Sequence, residues 1–152
     1  MHRCAAILLL VAGVLTSALP ARAQGDTVLS GTTPLGHYIT VAAGPREAAS
    51  IGSYAVREYG AKNPRFKTDD FITGIVLQRD GSSVHIMWQD VLGDGGKELV
   101  VVSFSAGTGG YLNADALRLN GKTIALIASV RGLDPKADVV KALRAATRRK
   151  AR

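Results

Sequence analysis

Residues 114–130, ADALRLNGKTIALIASV, set Ala114–Leu119 and Thr123–Val130 on either side of Asn120-Gly121. Both flanks are apolar or alternating, and Asn and Gly tolerate positive φ. The spacing therefore predicts two antiparallel strands joined by a type I′ hairpin. Asp80-Gly81 has the same chemistry and lies between Phe71–Gln78 and Ser83–Trp88, which predicts a second hairpin. His37–Val41, Ser53–Tyr59 and Leu99–Phe104 add further strands rich in β-branched or aromatic residues. Connections this short make neighbouring strands antiparallel, and no helical pattern separates them as a doubly wound α/β fold requires. One helix is expected at the end of the chain. Asp134 serves as its cap, Pro135 as its first residue, and Val139, Val140, Leu143 and Ala146 as its apolar stripe. The expected class is all-β, an antiparallel sandwich or barrel-like domain with a short C-terminal helix.

The start of the chain reads differently. Arg3 precedes an apolar run from Ala5 to Leu15, and Ala21-Arg22-Ala23 offers a small-x-small cleavage site before Gln24. This is the pattern of a secretory signal over residues 1–23. The run falls short of the about 20 residues that span a bilayer. Cleavage after Ala23 would leave 129 of the 152 residues, enough for one domain with a real core. Residues 24–36 read as a loose N-terminal arm, 37–147 as the β-rich domain and 148–152 as a basic tail. Cys4 lies inside the signal, so the exported chain would hold no cysteine. A soluble periplasmic or secreted domain is the placement that follows.

The formal charge of +7 suggests nucleic acid until it is apportioned. Arg3 and Arg22 leave with the signal, and residues 141–152 hold six basic residues and no acid. The body from 24 to 140 carries 11 basic against 12 acidic residues, so it offers no track for phosphates. A nucleic-acid partner is not expected.

The motifs for chemistry are sparse. His37 and His85 are the histidines beyond the signal, and His85 alternates with Val84 and Ile86 as a strand residue does. There is no cysteine nucleophile, no Gly-x-Ser-x-Gly elbow and no His-Glu-x-x-His zinc motif. Asp69-Asp70, as neighbours on a strand, would face opposite sides. Gly121-Lys122-Thr123 imitates the end of a phosphate loop, but Ala116 stands where the leading glycine belongs, and a strand follows. Asp90, Asp94 and Glu98 sit in a glycine-rich loop that raises calcium. Leu92 and Val101 occupy the third and twelfth positions, where a calcium loop needs oxygen ligands. A turn with solvated carboxylates is the preferred reading. No enzyme, catalytic residue, metal or cofactor is expected.

The local feature that remains is Ser105-Ala106-Gly107-Thr108-Gly109-Gly110-Tyr111-Leu112, between two apolar strands. Three glycines in four positions allow a thin turn that can approach a partner closely. On composition alone it reads as a hairpin loop with Tyr111 folded back on the sheet.

Together with Ile51–Arg57, Phe71–Val76 and Glu98–Val102, this loop resembles the periplasmic inhibitors of invertebrate-type (I-type) lysozyme, over roughly residues 50 to 145. The resemblance implies an all-β inhibitor whose partner is an I-type lysozyme, and whose Ser-Gly-Gly-Tyr loop enters the active-site cleft. The matching residues are Thr108, Gly109, Gly110 and Tyr111, with Ser105 and Gly107 as supporting loop positions. Thr108 stands where the family has serine. It keeps the hydroxyl but adds a methyl group and stiffness, which bears on target preference. A homodimer is left open. The alternative reading is an envelope-binding β module that uses its basic C-terminal tail on anionic lipid or polysaccharide.

Overall fold

The structure, a computed structural model, describes residues 28–48, 50–81 and 84–150; the signal segment 1–23 lies outside them. Its elements are β1 (Leu29–Thr32), β2 (Tyr38–Ala43), β3 (Ile51–Tyr59), β4 (Phe71–Asp80), β5 (Val84–Gln89), β6 (Glu98–Phe104), β7 (Leu112–Leu119), β8 (Ile124–Leu133) and α1 (Val139–Lys150). The strands form two antiparallel sheets, ordered β1-β2-β3-β4 and β5-β6-β7-β8.

The Val100-Val101-Val102 run does not alternate because β6 is covered on both faces. On one face Leu99 and Val101, with Leu117 of β7, meet Ile39, Val41, Tyr54 and Val56 of the first sheet. On the other, Val100 and Val102, with Ala114, Ala116 and Val130, receive Leu143 of α1. The order of layers is sheet, sheet, helix. Leu143 is fully buried, and burying a side chain of this size contributes about 1.5–3 kcal/mol. Among the described residues, no helix covers the outer face of the first sheet. Its β4 accordingly alternates, Ile75 and Leu77 packing inward while Val76 stands exposed.

A polar network crosses the sandwich. The Tyr54 hydroxyl of the first sheet donates to Asp115 Oδ2 at 2.8 Å, and the Ser129 hydroxyl donates to Asp115 Oδ1 at 2.6 Å. Arg131 Nη2 lies 2.8 Å from that same Oδ1, so the buried carboxylate is fully engaged. Burial, and next the Asp115 charge, push the Tyr54 phenol well above its ordinary value of 10.0. In the unfolded chain this phenol ionises near that value, whereas in the folded protein it stays neutral. Stability from Tyr54 is therefore complete below that pH and is lost as pH rises past it. The loss should run at about 1.4 kcal/mol per pH unit. Denaturant unfolding in alkaline buffer should show this slope, and Tyr54→Phe should flatten it by that amount. An identical slope in the variant would take Tyr54 out of the alkaline response.

Five local expectations are corrected. Asp80-Gly81 does not turn a hairpin: β4 belongs to the first sheet and β5 to the second, and the dipeptide begins the passage between them. A tight turn permits chain reversal, but the strand after it pairs wherever a free edge and a buried face await it. Asn120-Gly121 does join a hairpin, with Leu119 opposite Ile124, yet only Gly121 has positive φ (77°). A type I′ turn needs two such residues. Asn120 works instead through Oδ1, which accepts from the backbone N–H of Lys122 at 3.0 Å and of Thr123 at 2.8 Å. Residues 29–32, expected in a loose arm, form β1, which pairs with β2. The helix begins one turn later than expected. Asp134 caps a preceding turn, accepting from Lys136 N–H at 2.8 Å, while Asp138 Oδ1 accepts from Lys141 N–H at 2.9 Å and caps α1. Arg148, Arg149 and Lys150, read as tail, form its last turn.

Candidate functional site

Ser105 to Tyr111 connect β6 to β7 and stand out from one end of the second sheet. Ser105 N–H donates to the Tyr111 carbonyl at 2.8 Å, which closes the neck of the loop. Gly110 N–H donates to the Gly107 carbonyl at 3.3 Å, which places Thr108 and Gly109 at the tip. Gly110 has φ of 56°, a conformation that glycine adopts without steric cost. Ala106, Gly107, Thr108 and Gly109 are exposed. Tyr111 is 50% exposed, so its ring does not fold back onto the sheet as composition alone suggested. A Cβ built on Gly109 would collide with the Tyr111 ring, so glycine is what allows that ring to lie against the tip. The whole loop carries no formal charge.

The base of the loop is braced more heavily than the tip. Ser103 and Asn113 face each other across β6 and β7, and both donate to the Asp80 carbonyl, at 3.0 and 3.2 Å. Asn113 Oδ1 also accepts from Gly132 N–H at 2.9 Å, which ties in β8. The next residue after Asp80 is Gly81, with φ of 108°, whose N–H donates to the Ser50 carbonyl at 2.8 Å. It packs so closely on the Phe104 carbonyl that a Cβ would overlap it. Arg79, only 3% exposed, donates to the carbonyls of Ser53 at 3.2 Å and Ala48 at 2.9 Å, and to that of Gly81. One buried guanidinium thus links the β2–β3 loop to the passage beneath the β6–β7 loop. Sequence reading missed Arg79, Ser103 and Asn113. The signal was present in Ser103 and Asn113, polar residues at the ends of the runs Leu99–Val102 and Ala114–Leu117, where burial demands a partner.

The other candidates lie elsewhere and are occupied. His37 Nδ1 is 2.9 Å from Glu58 Oε1, a fully buried carboxylate, beside the β7–β8 turn. His85 is exposed and sets its ring edge-on to Phe104, with centroids 5.6 Å apart. Asp69 and Asp70 are not on a strand; they precede β4, and Asp70 pairs with Lys62 at 3.1 Å. In the acidic loop, Arg118 Nη2 lies 2.6 Å from Asp94 and 2.8 Å from Glu98. Its hydrogen bond holds the Asp94 carboxyl below the usual range. Asp90 accepts from the N–H groups of Gly93 at 2.6 Å and Gly95 at 3.2 Å. An internal guanidinium thus stands among the carboxylates that suggested calcium. Among the described residues no group of three or more His, Cys, Asp and Glu is placed to hold a metal ion.

The family profile of periplasmic lysozyme inhibitors of I-type lysozyme matches residues 26–147. The chain belongs to that family. No curated protein matches it. Among solved structures it is similar to the periplasmic lysozyme inhibitor of I-type lysozyme from Aeromonas hydrophila, at 46% identity and a TM-score of 0.71. That match covers 76% of this chain and 98% of the other. A second structure, the A. hydrophila inhibitor in complex with Meretrix lusoria lysozyme, matches at 46% identity and a TM-score of 0.71, over 77% of this chain and 94% of the other. The family is one of periplasmic inhibitors rather than enzymes, and its fold is the pair of antiparallel sheets with a C-terminal helix seen in this chain. Among the described residues no helix is long and apolar enough to cross a membrane.

Proposed function

We propose that this chain inhibits an I-type lysozyme by inserting Thr108-Gly109-Gly110-Tyr111 into the active-site cleft, after export and cleavage behind Ala23. The observation that carries the reading is the uncharged, exposed tip on a braced base, in a family member 46% identical to an inhibitor solved with its lysozyme. A glycosidase cleft holds catalytic carboxylates and subsites for a sugar chain. The Thr108 and Tyr111 hydroxyls donate hydrogen bonds to those carboxylates, each contributing about 1.5–3 kcal/mol when well made. The glycines keep the tip thin enough to enter. Because the loop is closed at its neck and pinned at its base, little ordering entropy is lost on insertion. The protein blocks the substrate and performs no chemistry itself.

The test is an inhibition assay of the chain from Gln24 onward against invertebrate-, chicken- and goose-type lysozymes in parallel. Inhibition confined to the first is expected. Failure to inhibit any of the three, by a folded preparation, overturns the reading.

A further inference from the structure

Charge is distributed over this molecule very unevenly. Residues 24–140 hold 11 basic and 12 acidic residues, whereas residues 141–152 hold six basic residues and no acid. Folding lays residues 141–150 over the second sheet within α1, so Lys141, Arg144, Arg148, Arg149 and Lys150 stand exposed in the outermost layer. Arg144 is committed, donating to the Asp90 carbonyl at 3.2 and 2.7 Å. The side chains of Lys141, Arg148, Arg149 and Lys150 have no ion pair or hydrogen bond among the described residues. Unneutralised cations gathered on one layer repel one another and favour an anionic partner.

The surroundings of two of them narrow the partner's chemistry. Arg148 and Arg149 border a groove of about 620 Å³ between α1 and β8, lined by Ser129, Val130, Leu133, Ala142 and Ala145. Arg131 stands at its rim, held by Asp115. A guanidinium binds phosphate through two parallel hydrogen bonds. An apolar lining beside such groups suits an acyl chain next to its phosphate, while the Ser129 hydroxyl and Arg131 are already engaged by Asp115. We propose that this face of α1 docks the protein on a bilayer surface rich in anionic phospholipid. The two arginines lie in the last turn of α1, and Pro135, which approaches Gly110 of the binding loop, precedes its first. Each basic side chain near such a surface raises partition about fivefold.

The experiment is sedimentation of the chain from Gln24 onward with vesicles of phosphatidylcholine, with and without phosphatidylglycerol, at low and high salt. Binding is expected only with phosphatidylglycerol and only at low salt. Arg148→Gln with Arg149→Gln should lower that partition about twenty-fivefold. Lys97→Gln with Lys122→Gln removes the same charge from positions elsewhere on the surface and should lower it much less. Circular dichroism confirms folding, and both variants should inhibit lysozyme as the parent does. Equal losses in the two double variants, or equal binding to pure phosphatidylcholine, overturn the proposal. So does retention on a soluble sulfated polysaccharide without vesicle binding, which would give the patch to a glycan.

Discussion

Replacing Tyr111 with alanine should weaken inhibition of an I-type lysozyme about thirtyfold while leaving the melting temperature unchanged. Truncating a desolvated tyrosine at the centre of an interface costs about 2 kcal/mol or more, which is that factor in the inhibition constant. Tyr111 is half exposed and its ring rests against the tip glycine rather than the core, so truncation leaves no cavity in the free protein. Tyr111→Phe divides the effect. It keeps the ring contact and loses the hydroxyl, and an intermediate inhibition constant is expected. Parallel thermal melts and inhibition titrations measure both. If folded Tyr111→Ala inhibits as well as the parent, the loop has no part in the mechanism.

The largest effect on stability is expected at Gly81, a residue outside the loop. Gly81→Ala should destabilise the protein by at least about 3 kcal/mol, a fall in melting temperature of about 10 °C or more. Two causes combine there. A φ of 108° disfavours any residue with a Cβ, and that Cβ would overlap the Phe104 carbonyl. Neither backbone is free to yield. Gly81 N–H is bonded to Ser50 and its carbonyl to Arg79, while Phe104 lies in the β6–β7 ladder. Any accommodation moves Phe104, and with it Ser105 at the neck of the loop, so inhibition should fall as well. Gly93→Ala is the control. Its φ is 76° and nothing lies within 4 Å of where the added methyl group would stand, so it carries only the backbone cost, about 1–2 kcal/mol. Equal losses at the two glycines would show that the close approach to Phe104 contributes nothing.

The projecting turn between β6 and β7 was legible in the sequence because its information is local. Consecutive glycines flanked by a hydroxyl and a tyrosine, between two apolar strands, describe a thin projecting turn before any tertiary contact forms. Its brace was not legible. Arg79 lies 26 residues from the Ser53 carbonyl it bonds, and Ser103 lies 23 from Asp80. Only the closed sandwich brings those groups together and excludes the water that would otherwise satisfy them. The partner of the acidic loop was hidden for the same reason, since Arg118 is supplied to Asp94 from 24 residues away.

Short-range pattern was enough to predict the strands with strong β propensity, the hairpin at Asn120-Gly121, the C-terminal helix and the tip of the loop. Each follows from steric preferences acting over a few residues. Tertiary structure alone decided that the chain changes sheets after Asp80, that weakly patterned Leu29–Thr32 becomes a strand, and that Asp138 rather than Asp134 caps the helix. These depend on which edges and faces remain to be paired or buried. Strand pairing and burial join residues distant in the chain, and a tight turn reads the same whichever sheet receives the strand that follows it.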